Sequence, residues 1–198
     1  ALISWIDLAE EVVVVDSFST DDTVSFLRAN LRHPQLCFLT HPPGLYESWN
    51  WGIQHLRAEF TYIATAGDTI TRTGLQHLVA AARSFAADVV MSKPSFFHES
   101  GQRADEPFWP MDDILRRHES SAPVRTRPLE MVVYAAAYPG GGLLGNSASN
   151  LYRTRCLQGN PFPTQFGAAG DGVWAVLHAH ESAWCITPER CSRFLLHP

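Results

Sequence analysis

The sequence predicts an α/β protein with a mainly parallel central sheet and helices on both faces of that sheet. Short apolar runs that suit strands alternate with segments of helical periodicity, at the spacing typical of strand–helix–strand units. The first run, 12–15, is four consecutive valines, and an unbroken β-branched run is typical of a parallel strand buried on both faces. The chain has 198 residues, of which 45% are hydrophobic, which suits one domain over 1–198.

The first half of the chain carries most of this alternation. Polar N-cap residues at 19–22 start the first complete helix, and Val24, Leu27 and Leu31 are among its apolar positions. The sequence HPPG at 41–44 breaks the chain before the next helix. The predicted elements are the end of a helix at 1–10, a strand at 11–16, a helix up to about 32, a strand at 36–40, a helix at 45–58, a strand at 60–65, a helix at 73–86 and a strand at 88–91.

Beyond Lys93 the pattern becomes less regular. The polar, proline-punctuated stretch 100–127 predicts loops with a short helix at 112–117, and 129–137 is apolar. The sequence PGGGLLGN at 139–146 predicts a glycine loop. Further predicted elements are a strand at 150–155, a helix at 171–180 and a last strand at 184–187.

Composition excludes several classes of protein. The formal net charge is -5, whereas a general nucleic-acid binder normally has a basic face. No apolar run approaches the roughly 20 residues that span a bilayer. The four cysteines form no CxxC pair, which is typical of reduced thiols in a cytosolic protein and predicts a cytoplasmic location.

Candidate chemistry lies where two predicted strands end in acids. Ligands of open α/β sheets bind beyond the carboxyl ends of the strands, and these strand ends supply Asp16 and Asp68. Such carboxylates can accept hydrogen bonds from a ribose or base, or hold a divalent cation. Neither the GxGxxG dinucleotide fingerprint after the first strand nor a P-loop is present in the sequence.

Five short segments, in order along the chain, resemble the signatures of family 2 glycosyltransferases. They are VVVVDSFSTDDT at 12–23, GLYESWNWGI at 44–53, IATAGDT at 63–69, GD at 170–171 ahead of Trp174, and LLH at 195–197. Each segment is short and degenerate, but the ordered set is fairly specific and covers nearly the whole chain.

The resemblance implies a GT-A-like, Rossmann-type sandwich and an inverting transferase that uses a nucleotide-sugar, in particular a UDP-sugar. It implies that Asp171 is the catalytic base, and that Asp68 and His197 bind Mg²⁺ or Mn²⁺. The donor-binding residues that it implies are Asp16, Ser17, Ser19, Asp21, Asn50 and Gly67. N-capping of the following helix is the competing interpretation for Ser19, Asp21 and Asp171.

The resemblance further divides the domain into a nucleotide-sugar-binding half, 1–92, and an acceptor-side and catalytic half, 93–198. The implied acceptor is a saccharide or lipid-linked saccharide in polysaccharide assembly. The implied location is the cytoplasm, including peripheral association with the inner face of the membrane. Oligomer formation is left open.

The sequence departs from the family pattern at three places. Gly67 replaces the first aspartate of the fuller metal motif, Ser17 stands where many members have a second aspartate, and the family's opening strand is missing before Ala1. These departures leave open a sugar-nucleotide-binding module without turnover. A nucleotidyltransferase and a purely structural interaction domain are the remaining alternatives.

Overall fold

The structure is a computed structural model that describes residues 5–65, 67–105, 109–138, 143–145 and 147–196. The helices are α1 (Thr23–Asn30), α2 (Leu45–Gln54), α3 (Arg72–Ser84), α4 (Pro110–Arg117), α5 (Pro128–Ala137), α6 (Thr154–Gly159) and α7 (Gly170–His178). The strands are β1 (Val12–Asp16), β2 (Leu36–Thr40), β3 (Phe60–Thr61), β4 (Thr69–Ile70), β5 (Val89–Ser92), β6 (Ser95–His98), β7 (Val124–Arg125), β8 (Asn150–Arg153), β9 (Trp184–Thr187) and β10 (Ser192–Leu196). The predicted α/β class is confirmed.

The valine strand forms a small parallel sheet of its own. Within the described part of the chain β1 pairs with β2, from Val12 opposite Leu36 to Asp16 opposite Thr40. All five residues of β1 are partly exposed, so the prediction of a strand buried on both faces is wrong. The second edge of β1 borders a cleft instead of another strand, and this leaves the valines partly accessible.

The largest sheet has the strand order β3-β8-β5-β9-β7 and is mixed, so the prediction of a mainly parallel sheet is wrong in this detail. Only the β5–β9 pair among its described ladders is parallel. β8 begins with Asn150 opposite Met91, near the end of β5, and runs back along it. The chain re-enters the sheet at the carboxyl end of β5, which makes β8 antiparallel to both of its neighbours.

A third sheet has the order β4-β10-β6 and was not predicted from the sequence. β10 pairs in parallel with β6 and antiparallel with the two-residue strand β4. This pairing places the last described residues beside the segment that follows Thr65 and contains Asp68.

The core lies around β5 and β9, in which every residue is buried. The rings of Trp174, Tyr152 and Phe162 pack on one another with centroids 5.5 to 5.9 Å apart, and Trp184 lies 6.0 Å from Trp174. This cluster fixes the position of α7, which begins at Gly170 and carries Asp171.

Several boundaries differ from the predicted ones. α2 ends at Gln54 where a helix to 58 was predicted, and β3 covers only two residues of the predicted strand 60–65. The predicted strand 150–155 is β8 followed directly by α6, while the apolar segment 129–137 lies in α5.

Candidate functional site

A cleft of about 520 Å³ lies between β1, α2 and the segment 61–65, and we call it the β1–α2 cleft. Its volume is within the range of small-molecule sites. Residues of β1 and the turn after it form one wall, α2 forms the floor, and 61–65 form the other wall. The lining residues are Val13, Val15, Ser17, Pro43, Gly44, Leu45, Ser48, Trp49, Gly52, Ile53, Leu56, Thr61, Tyr62, Ile63, Ala64 and Thr65.

Close packing between α2 and β1 shapes the cleft floor. A Cβ atom on Gly52 would lie 3.0 Å from Cγ2 of Val15, so glycine lets the helix approach the strand. At the strand end the hydroxyls of Ser17 and Ser48 are hydrogen-bonded at 3.2 Å. Ser17 is therefore the predicted donor-binding residue that the structure places in the cleft wall.

The other polar residues after β1 bond chiefly within their own turn. The Asp16 carboxylate accepts hydrogen bonds from the main-chain N–H of Ser19 at 3.2 Å and from its hydroxyl at 2.5 Å. Asp21 accepts from the N–H of Thr23, the first residue of α1. The Thr23 hydroxyl, and after it this N–H, lowers the pKa of the Asp21 carboxyl. Their contact with a nucleotide stays a prediction.

Gly67 and Asp68 form a bend beside the cleft. Gly67 has a φ of 97°, in the left-handed region that favours glycine. The Asp68 carboxylate accepts from the Thr65 hydroxyl and from the N–H of Leu195, both at 3.3 Å. Thr65 also lines the cleft, so Asp68 is connected to the cleft wall through one hydrogen bond.

A metal site cannot be assembled from protein ligands alone in the described part of the chain. No group of three or more His, Cys, Asp or Glu side chains comes together there. Asp68 supplies a single carboxylate, and the other predicted ligand, His197, lies outside the described residues. The residues fit a divalent cation only if a bound ligand, such as a diphosphate, provides further oxygens.

Asn50 connects α2 to the second half of the chain. Its side-chain NH₂ donates to the carbonyl of Phe162 at 2.8 Å, and its side-chain oxygen accepts from the Phe162 N–H at 2.9 Å. The amide thus has a structural role in this fold, and its predicted contact with the donor remains a prediction.

Asp171 lies in the first turn of α7, where a carboxylate interacts favourably with the helix dipole. Its Oδ1 accepts from the N–H of Gly172 at 2.7 Å. Burial raises the pKa of the Asp171 carboxyl, while the nearby Tyr46 hydroxyl and the hydrogen bond from Gly172 oppose that rise. A raised pKa suits a proton acceptor, because a general base works best with a pKa near the operating pH.

Sequence reasoning missed Tyr46, which contacts this carboxylate region from α2. Its hydroxyl donates to the carbonyl of Ala168 at 3.2 Å, and its ring lies 5.1 Å from that of Trp49 in the cleft floor. The signal was present in helical spacing, since Tyr46, Trp49, Asn50 and Ile53 follow the i, i+3, i+4, i+7 pattern of one helix face. α2 therefore lies between the β1–α2 cleft and Asp171.

Comparisons with known proteins find similarity in sequence and in structure. The family model described as "Glycosyl transferase family 2" matches residues 1–134. No curated protein matches the chain in sequence.

Similar solved structures include three of TarS from S. aureus. The structure of TarS 1-349 with UDP is 18% identical with a TM-score of 0.65, over 95% of this chain and 52% of that one. The structure with UDP-GlcNAc is 16% identical with a TM-score of 0.69, over 95% and 50%. TarS itself is 19% identical with a TM-score of 0.63, over 95% and 31%. The likeness confirms the GT-A-like fold, and this chain spans about half the length of the TarS 1-349 structures.

Across the described ranges no helix combines the length and apolar character that crossing a bilayer requires.

Proposed function

Because the chain belongs to glycosyl transferase family 2, we propose that it transfers a sugar from a UDP-sugar to an acceptor hydroxyl with inversion. The observation that carries this proposal is the β1–α2 cleft at the strand ends, connected through α2 to the half-buried Asp171. Relatives in fold have been solved with UDP and with UDP-GlcNAc, which supports a donor of this class.

The cleft would hold the nucleoside, with its apolar wall of Val13, Val15 and Ile63 against the base. The remaining donor contacts in the proposal come from Asp16, Ser17, Ser19, Asp21, Asn50 and Gly67. Ser17 is best placed for this role, since its hydroxyl lies in the cleft wall and is within reach of a ribose or base.

Asp171 is the general base in this proposal. Attack by the acceptor hydroxyl requires loss of its proton, and a carboxylate whose pKa is raised by burial is suited to take it. One base and in-line displacement give inversion at the sugar carbon, by the geometric logic of inverting glycosidases.

Asp68 would hold Mg²⁺ or Mn²⁺ together with diphosphate oxygens. When bound, such a cation stabilises the negative charge of the leaving diphosphate as a Lewis acid. Within the protein, Thr65 and the N–H of Leu195 keep the Asp68 carboxylate oriented beside the cleft. The acceptor in the proposal is a saccharide or lipid-linked saccharide. Residues 93–198 would bind it at the cytoplasmic face of the membrane.

A thermal-shift titration tests the site. We expect UDP and UDP-GlcNAc with Mn²⁺ to raise the melting temperature. At a ligand concentration of about a hundred times Kd, the free energy of unfolding should increase by about 2.7 kcal/mol. Asp68→Ala should remove the Mn²⁺-dependent part of the shift, whereas Asp22→Ala, at the exposed residue just before α1, should keep it.

UDP release from UDP-GlcNAc separates an enzyme from a binding module. If the wild-type protein turns over UDP-GlcNAc and Asp171→Asn abolishes this turnover, the result supports a transferase. If the protein binds the nucleotide without any turnover, the result supports a sugar-nucleotide-binding module. If no nucleotide shifts the wild-type protein, the cleft is not the donor site.

A further inference from the structure

Tyr46 is a buried tyrosine whose ring is held from three sides. Its side chain is 3% exposed. The ring meets Trp49 edge-on, with centroids 5.1 Å apart, and tilts over Phe162 at 5.7 Å. Two aromatic neighbours and the backbone of α2 thus fix where the hydroxyl points.

The hydroxyl points at the turn that enters α7. It donates its one proton to the carbonyl of Ala168 at 3.2 Å, while the ring packs against Gly170, the residue before Asp171. Ala168 belongs to the 3₁₀ turn that runs directly into α7. One side chain of α2 therefore contacts both the turn and the first residue of the helix that carries the carboxylate.

Gly170 makes this approach sterically possible. A Cβ atom on Gly170 would lie 2.5 Å from Cε2 and 2.6 Å from Cδ2 of Tyr46, and 2.7 Å from the carbonyl oxygen of Pro163. Its backbone is ordinary right-handed helix, with φ -58° and ψ -39°, so conformational freedom does not require a glycine here. Close contact with the Tyr46 ring is a reason for glycine at this position.

We propose that Tyr46 is a positioning residue for Asp171. Its hydroxyl holds the turn at Ala168 and its ring packs against Gly170, so the start of α7 presents the Asp171 carboxylate in one place. This inference rests on the proposed function, in which Asp171 is the base. In this inference the segment 44–53, GLYESWNWGI, connects the donor cleft with the catalytic carboxylate.

Electrostatics support the geometry. Burial raises the pKa of Asp171, and the nearby Tyr46 hydroxyl lowers it and so limits that rise. In turn, burial raises the pKa of Tyr46 to about 12, so the phenol stays protonated and able to donate. Tyr152 on β8 is the other titratable group that interacts with Asp171.

Among the described residues, the other elements that pack against α7 place no further charged group on this carboxylate. The 3₁₀ turn Thr164–Ala169 contains no titratable residue, and α5, which packs along α7, carries Glu130, bonded to His118 at 2.8 Å. Tyr134 of α5 interacts with Arg117, Glu130, Asp113 and Tyr138.

Tyr46→Phe tests the inference, because it keeps the ring and removes the hydroxyl. We expect ¹³C NMR of the side-chain carboxyls to show a higher pKa for Asp171, whose resonance is identified by its loss in Asp171→Asn. For UDP release from UDP-GlcNAc with water as acceptor, kcat should fall about tenfold, the equivalent of one pKa unit. The acidic limb of its pH profile should move to higher pH, with KM nearly unchanged.

Two matched variants complete the experiment. Tyr134→Phe removes a hydroxyl of similar burial, 4% exposed, and should leave both the Asp171 pKa and the pH profile unchanged. Gly170→Ala should displace the Tyr46 ring and raise the Asp171 pKa as Tyr46→Phe does, whereas Gly159→Ala, with open space around its Cβ, should not.

The two readouts distinguish the possible failures. If the Asp171 pKa is unchanged in Tyr46→Phe, or if only the melting temperature falls, the positioning role is overturned. If that pKa rises while the limb of the UDP-release profile stays in place, Tyr46 does hold Asp171 but Asp171 is not the base, and the proposed function fails instead.

Discussion

The β1–β2 region and the β5–β9 region differ in how deeply their residues are buried. Every residue of β1 is partly exposed, whereas every residue of β5 and β9 is buried. The first region borders the β1–α2 cleft, and the second holds α7 and Asp171 through a cluster of large rings. Ligand-binding segments are commonly drawn from the loosely packed parts of a fold, so the difference fits a donor side and a rigid catalytic side.

α2 belongs to both regions. One side of the helix contacts β1, where Gly52 meets Val15, while Tyr46 and Asn50 bond to residues beyond 160. Trp51 points away from both contacts and is 43% exposed. The comparison therefore predicts that changes in the packed region cost stability, and that changes at the α2 contacts affect both regions at once.

The largest expected effect separates two tryptophans. Trp174 is fully buried, and its Nε1 donates to the carbonyl of Asn160 at 2.6 Å. Trp174→Ala should lower the free energy of unfolding by about 3–5 kcal/mol, and Trp51→Ala by about 1 kcal/mol, measured by urea denaturation. Equal losses in the two variants would contradict the division into a packed and an open region.

Much of the fold could be predicted because the relevant signals are local. β2 and β9 have the predicted bounds, and α4 and α7 begin within two residues of the predicted start. β4, β6 and β10 were missed, since their stability comes from pairing with strands distant in sequence. The two-residue strand β4 has no periodicity that a sequence pattern could show.

The site was predictable where its residues follow motifs and not where they act by packing. Motifs singled out Ser17 and Asp68, and the structure has Ser17 in the cleft wall and Asp68 beside the cleft, while their roles in binding stay predictions. Tyr46 was missed because a neutral aromatic in a helix is ordinarily a core residue, and its neighbour Gly170 is distant in sequence. The hydrogen bonds of Asn50 to Phe162 likewise depend on tertiary structure.

A smaller effect is expected at the α2 contact. Asn50→Ala leaves the N–H and carbonyl of the buried Phe162 without their side-chain partner, and should cost about 2–3 kcal/mol in urea denaturation. Asn30→Ala is the control, because Asn30 also donates to a carbonyl, that of Phe26, but in an exposed position. It should change stability by less than about 0.5 kcal/mol. Similar values for both variants would show that α2 is not anchored through Asn50.

The smallest expected effect concerns the charge of Asp171. Its pKa is higher in the folded than in the unfolded protein, chiefly because of burial, so the native state binds the proton more tightly. Stability from this group is then full below the unfolded pKa and falls as pH rises through the folded pKa. Asp171→Asn should therefore melt at a higher temperature than wild type at neutral pH, with the gain vanishing in acid. A variant less stable than wild type at neutral pH would show that the carboxylate stabilises the start of α7 more than its burial costs.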